Sequence, residues 1–202
     1  MSLKETYNKI AKDWHNDHNA DDWWHEGTDV FAALLSKGAH VLDVGCGAGH
    51  KTKYLFDKGF KVTGVDFSEN LLAIAQEEAP DAEYVVSDMR DLSQIEGQAD
   101  AIFSQASLLH IPKSEAPDVI AHWNKKVRPG GYIYIAVKGV KEGYPEEQTI
   151  TENDYGYEYE RFFSFYTIEE IKGYLENLGL QIEYESEKME GGTNWIQVIA
   201  KK

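Results

Sequence analysis

The 202-residue chain predicts an α/β fold: a three-layer sandwich with a mostly parallel sheet between two layers of helices. Three observations predict it. Short apolar runs alternate with helix-period segments from residue 41 to residue 137. The first apolar run ends in alternating glycines, Val-Leu-Asp-Val-Gly-Cys-Gly-Ala-Gly over 41–49. The last two strand-like segments, 181–187 and 194–200, are joined by a turn at Gly191 and Gly192, so one strand runs antiparallel to the rest.

The elements follow in order. Residues 1–13 read as a helix, with Leu3, Tyr7, Ile10 and Trp14 three or four apart. A second helix is expected over 22–37, with Val30, Phe31, Leu34 and Leu35 inward and Gly38 as its stop. Residues 41–44 form a strand, 50–58 a helix ended by Gly59, and 61–65 a second strand. Ser68 caps a helix over 69–78. Strands are expected at 82–86 and 101–104, a helix at 113–127 and an apolar strand at 132–137. Thr167 opens the last helix, with Glu169 and Glu170 in its first turn, where the helix dipole favours negative charge. Strands alternating with helices imply right-handed crossovers.

Composition bounds the rest. One domain, 1–202, suits a chain of this size, and 42% hydrophobic with 27% charged residues is a globular mixture. No linker or repeat divides it. Twenty Lys and Arg against 35 Asp and Glu leave a net charge of −15. That charge opposes a nucleic-acid backbone and an anionic membrane surface, so the expected partner is a small molecule, with no nucleic acid and no membrane. The single cysteine, Cys46, allows no internal disulfide. The first residues lack the apolar core of a signal peptide, and no apolar run approaches the roughly 20 residues that span a bilayer. A cytoplasmic monomer or weak homodimer is expected.

The glycine loop is the most informative stretch. Glycine permits the unusual φ of a tight strand-to-helix turn and lets a ligand approach the backbone. The spacing selects among nucleotide sites. A dinucleotide fingerprint starting at Gly45 requires glycine at position 50, where His50 stands. The pattern is G-x-G-x-G, ending at Gly49, and no Gly-Lys-Ser/Thr follows. The second strand ends at Asp66, where a carboxylate can accept from both ribose hydroxyls. The third ends at Asp88 and Met89. Three strands thus deliver polar groups to one sheet edge. Each feature has a plainer alternative, since Asp66 can cap a helix and Asp88 can be a turn residue. Their joint placement favours a site.

Taken together, residues 41–49, 62–67, 85–89, 99–110 and 127–131 resemble the successive motifs of class I S-adenosylmethionine-dependent methyltransferases, nearest to the small bacterial-type branch that acts on small molecules. The resemblance runs from about Tyr7 to the C-terminus. It implies a seven-stranded sheet in the order 3-2-1-4-5-7-6, with strand 7 antiparallel, and a helical cap over 1–37. It also implies roles. Gly45, Cys46, Gly47 and Gly49 flank the methionine part of S-adenosyl-L-methionine, and Asp43 orients its amino group. Asp66 holds the ribose, Phe67 and Met89 sandwich the adenine, and Asp88 bonds the adenine amino group. Gln105 faces the methionine moiety or the sulfonium. Tyr7 and Trp14 resemble cap positions that close over the cofactor; ordinary amphipathic packing explains them equally.

Methyl transfer from a sulfonium needs alignment and exclusion of water more than a strong catalyst. Where the acceptor carries a proton, a general base helps. His110, just past the fourth strand, is the candidate base; its alternative role is bracing the loop before Pro112. The 139–165 connection is long and rich in aromatics, including Tyr157, and carries Arg161. It is either a lid that holds an anionic or planar acceptor, or a β-ribbon packed on the core with Arg161 paired to a nearby glutamate. Trp23 and Trp24 are candidates to close the acceptor pocket from the other side. No metal is implied. Two rival readings stay open: a non-catalytic S-adenosylmethionine-binding domain and, less consistent with His50, a nicotinamide oxidoreductase.

Overall fold

The computed structural model describes residues 1–20 and 22–202. Helix α1 (Leu3–His18) opens on a capping box: Ser2 accepts from the Glu5 amide and the Glu5 carboxylate accepts from the Ser2 amide. Helix α2 (His25–Leu34) is shorter than its apolar pattern, because Leu35 turns extended at its end. Strand β1 (His40–Val44) runs through the glycine loop into α3 (His50–Asp57). Then come β2 (Lys61–Asp66), α4 (Glu69–Glu78, capped by Ser68), β3 (Glu83–Val86) and β4 (Ala99–Gln105). A single 3-10 turn at Leu108–His110 precedes α5 (Ala116–Lys126). Strand β5 (Val127–Lys138) starts earlier than its apolar stretch.

The connection after β5 folds as an antiparallel hairpin, β6 (Glu147–Glu152) and β7 (Tyr159–Ser164). This is the ribbon alternative. Helix α6 (Ile168–Glu176) opens on a second capping box, Thr167 with Glu170. The chain closes with β8 (Gln181–Glu190) and β9 (Thr193–Lys201).

Seven strands form one sheet in the order β3-β2-β1-β4-β5-β9-β8. Counting only strands of this sheet, that is 3-2-1-4-5-7-6. Strand β9 is antiparallel to both neighbours, and the pairs from β3 to β5 are parallel. The expected sheet is therefore the observed one.

Apolar clusters cover both faces. One joins α5 and α6 to the sheet through Trp123, Ile120 and Leu175, all buried. The other seats α2 and α3 through Phe31 and Leu55. A third holds α1 in place: Tyr7, Ile10 and Ala11 pack on Ala48, on Leu71 of α4 and on Tyr159 of the hairpin. Helix α1 therefore lies over the carboxyl edge of the sheet, between the glycine loop and the hairpin. At that edge β1 and β4 lie side by side with their crossovers leading in opposite directions, the place where open α/β sheets leave a crevice.

Candidate active site

The loop after β1 is built by its glycines. Gly45, Gly47 and Gly49 have φ of +77°, +56° and +84°, which side chains disfavour. Two of them also clear space for neighbours. A Cβ on Gly45 would lie 2.2 Å from Cβ of Ser107, and one on Gly49 would lie 2.8 Å from Cβ of Ala75. Gly47 differs: its nearest neighbour would be the Trp14 ring at 3.4 Å. Gly47 thus keeps a gap open between the loop and α1. Trp14 is held above it, stacked between His18 and His50 with ring centroids 4.6 and 6.3 Å away.

Two buried carboxylates face the same cleft. Asp66, at the end of β2, accepts from the Gly47 amide at 3.0 Å and from the Ser68 amide at 2.9 Å. Asp43, in β1, accepts from the Thr52 hydroxyl at 2.6 Å. Burial pushes each carboxyl up to about 6. From β4, Gln105 donates to the Tyr134 hydroxyl at 3.1 Å, and Tyr134 donates to Gln197 at 2.8 Å. The Gln105 Oε1 atom is buried without a hydrogen-bond partner. A buried orphan acceptor is costly, so this atom marks a place where a donor from outside the chain belongs.

These groups line a cleft of about 570 Å³ that also takes in Phe67, Met89 and Cys46. Buried Trp123 fixes the Met89 carbonyl with its indole N–H at 2.8 Å. Burial holds the Cys46 thiol protonated. Asp88 lies elsewhere. It is half exposed, pairs with Arg90 at 3.2 Å and lines the adjoining groove, which shares only Phe67 with the cleft.

At its inner end the cleft meets a second compartment of about 610 Å³. Tyr7, His110 and Ala106 line both. Nδ1 of His110 lies 2.7 Å from the Phe162 carbonyl, which can only accept, so the ring's proton is on Nδ1. Nε2 therefore accepts from the Tyr7 hydroxyl at 2.7 Å. Burial lowers the imidazole to about 3, keeping it neutral. Arg161 is clamped by Glu152 with two bonds of 2.6 and 2.5 Å and reaches the Tyr7 oxygen at 3.4 Å. The paired-glutamate expectation for Arg161 is met.

Trp23 lines the second compartment, stacked on Trp195 with centroids 3.8 Å apart. Trp24 does not. As the residue that precedes α2 it turns towards α3, edge-on to Tyr54. Tyr157 does not either: its hydroxyl donates to Asp13 at 2.7 Å on the outer side of α1. Ala106, Ser107 and Lys138 are among the lining residues that the sequence reading did not single out. Ala106 is the one non-glycine residue with positive φ among the described residues, +56°; an alanine carries no signal of such strain. Ser107 donates to the Val44 carbonyl at 2.7 Å, tying the β4 loop to the glycine loop. Lys138 ends β5, and only the fold places it beside Arg161.

Comparison with known proteins agrees with this architecture. Residues 41–131, just under half of the chain, match the family model described as a methyltransferase domain. Among curated relatives, the putative methyltransferase YqeM of Bacillus subtilis is 31% identical over 126 residues, 59% of this chain and 49% of that protein. Trans-aconitate 2-methyltransferase of Delftia acidovorans is 31% identical over 105 residues, 50% of this chain and 38% of that protein. The chain spans about half the length, or less, of these relatives. Among solved structures, Burkholderia thailandensis 1,6-didemethyltoxoflavin-N1-methyltransferase with bound S-adenosylhomocysteine superposes with a TM-score of 0.78. It is 19% identical and covers 99% of this chain and 87% of that one. Magnesium protoporphyrin IX methyltransferase of Synechocystis PCC 6803 with bound S-adenosylmethionine gives 0.75 at 18% identity, covering 100% and 98%. Residues 41–131 match a methyltransferase domain, and the chain shares its fold with S-adenosylmethionine-dependent methyltransferases of known structure.

Proposed function

We propose that this chain binds S-adenosylmethionine in the cleft between the glycine loop and α1, and transfers its methyl group to a small-molecule acceptor in the second compartment. The observation that carries the reading is the convergence of the Gly47 gap, the Asp43 and Asp66 carboxylates and the orphan Gln105 Oε1 on one cleft. A cationic ligand with a ribose and an ammonium group fits that set. Asp66 is pre-positioned by two amides with lone pairs left for ribose hydroxyls. Asp43 and Gln105 offer acceptors for an ammonium group. Phe67 and Met89 flank the place for the adenine, while Asp88 is engaged with Arg90 and does not contribute as it stands.

When bound, the cofactor supplies an electrophilic methyl carbon on sulfur. The chain's own residues do the rest. Helix α1 shields the cleft, with Trp14 over Gly47. Tyr7 and His110 stand where the two compartments meet. An acceptor proton passes to the Tyr7 oxygen as the Tyr7 proton shifts along its 2.7 Å hydrogen bond to His110 Nε2.

A screen of candidate small-molecule acceptors, read as S-adenosylhomocysteine formed from S-adenosylmethionine, tests this function. Turnover that depends on an added acceptor supports it. Cofactor binding with no turnover on any acceptor would instead favour the non-catalytic binding domain.

A further inference from the structure

The two compartments differ in charge. The cofactor cleft holds Asp43 and Asp66. Among the described residues the second compartment is lined by Lys138 and Arg161, by Lys51, which it shares with the cofactor cleft, and by no carboxylate, in a chain whose net charge is −15. Cations gathered against that background mark a site for an anion.

Lys138 is the informative one. It ends β5 at the carboxyl edge of the sheet and is mostly shielded from water. Its ammonium sits 4.5 Å above the Phe163 ring and 5.9 Å from the Trp195 ring. Arg161 lies on the same Phe163 ring at 5.1 Å, but Glu152 neutralises it. Among the described residues Lys138 forms no ion pair. Burial and then repulsion from Arg161 lower its affinity for a proton, and the attraction of Glu152 is the smallest influence on it. A partly buried ammonium facing aromatic rings is stabilised only in part; a carboxylate completes it. The walls beside it are flat and apolar, with Trp23 stacked on Trp195 at 3.8 Å and the Phe163 ring in contact with both cations.

We infer that the acceptor is an aromatic carboxylic acid whose ring lies against Trp23, Trp195 and Phe163, and whose carboxylate is held by Nζ of Lys138. The inference rests on reading the second compartment as the acceptor site. Arg161, committed to Glu152, fixes the hairpin and the Tyr7 hydroxyl rather than the acid.

The test uses 2-naphthoate and its neutral counterpart 2-naphthamide as probes, titrated by calorimetry into the whole chain with and without S-adenosylhomocysteine. The wild type should bind the acid about 10-fold or more tighter than the amide, the range expected for one charge-assisted contact. Lys138→Met should erase that preference, and Lys138→Arg should keep most of it. The inference is overturned if the acid binds no tighter than the amide, if neither probe binds, or if the preference survives in Lys138→Met. The wild-type comparison stands even if a variant fails to fold. Titration of S-adenosylhomocysteine alone separates the two claims: its failure removes the cofactor reading and leaves the probe preference as an independent result.

Discussion

The Tyr7 hydroxyl donates to Nε2 of His110 over 2.7 Å because the other ring nitrogen is committed, at the same distance, to the Phe162 carbonyl. The sequence offered His110 either as a base or as a brace of the loop before Pro112. In the structure its only lone pair is already filled by Tyr7, so a proton reaches the ring through the Tyr7 oxygen or not at all.

Tyr7→Phe should therefore lower kcat by about 10²-fold for an acceptor that loses a proton, as should His110→Ala. Both should leave S-adenosylhomocysteine affinity within a few fold. His110→Ala should also lower Tm, since it removes two buried hydrogen bonds. Steady-state kinetics beside thermal melts decide the matter. Wild-type kcat in Tyr7→Phe would reduce the pair to a structural brace.

Asp66→Ala should weaken S-adenosylhomocysteine binding by about 100-fold or more, because it removes both a charge-assisted partner and the anchor of the Gly47 amide. The domain should stay folded, since Asp66 lines a cleft and belongs to neither main core cluster. Unchanged affinity would remove Asp66 from the site. Gly47→Val should abolish binding by filling the gap under Trp14.

Asp43 and Asp66 each stand near 6, against about 3.8 when unfolded. Between those values the folded chain holds more protons than the unfolded one. Stability of the ligand-free protein should thus be greatest near pH 4 as far as these two groups decide, and fall as pH rises through 6. A cationic ligand prefers the ionised carboxylates, so its affinity should rise over the same interval. Melting curves from pH 5 to 8, with and without S-adenosylmethionine, should diverge as pH increases. A ligand-induced shift that is constant across this range would contradict the assignment.

Arg161→Ala should destabilise more than it weakens binding of any acceptor. It strands the Glu152 carboxylate, which is only 18% exposed. Glu152→Gln added to Arg161→Ala should recover part of the lost stability. Two losses that simply add would show that the pair is not coupled.

The strands were legible because their evidence is periodic and local: apolar runs, glycine stops and the Gly191–Gly192 turn; their order came from the resemblance. Helix lengths were less so, as at α2, where Leu35 continues the apolar pattern but leaves the helix. In the site, the strand residues Asp43, Asp66 and Gln105 line one cleft. Residues on connections are scattered. Asp88 reads as a ligand by position but has Arg90 two residues on, and Trp24 and Trp23 are neighbours in sequence that face opposite ways. Spacing does not report which way a loop side chain turns. Lys138 went unnoticed because its meaning depends on Glu152 taking Arg161, a contact across the hairpin that no local pattern reveals.

Calorimetric titration of the purified chain with S-adenosylhomocysteine, S-adenosylmethionine and NAD tests the central claim most directly. The account predicts one site per chain for each of the first two, lost in Gly47→Val, and no heat from NAD. Binding of NAD in place of the sulfur ligands, or S-adenosylhomocysteine binding undiminished in folded Gly47→Val, would contradict it.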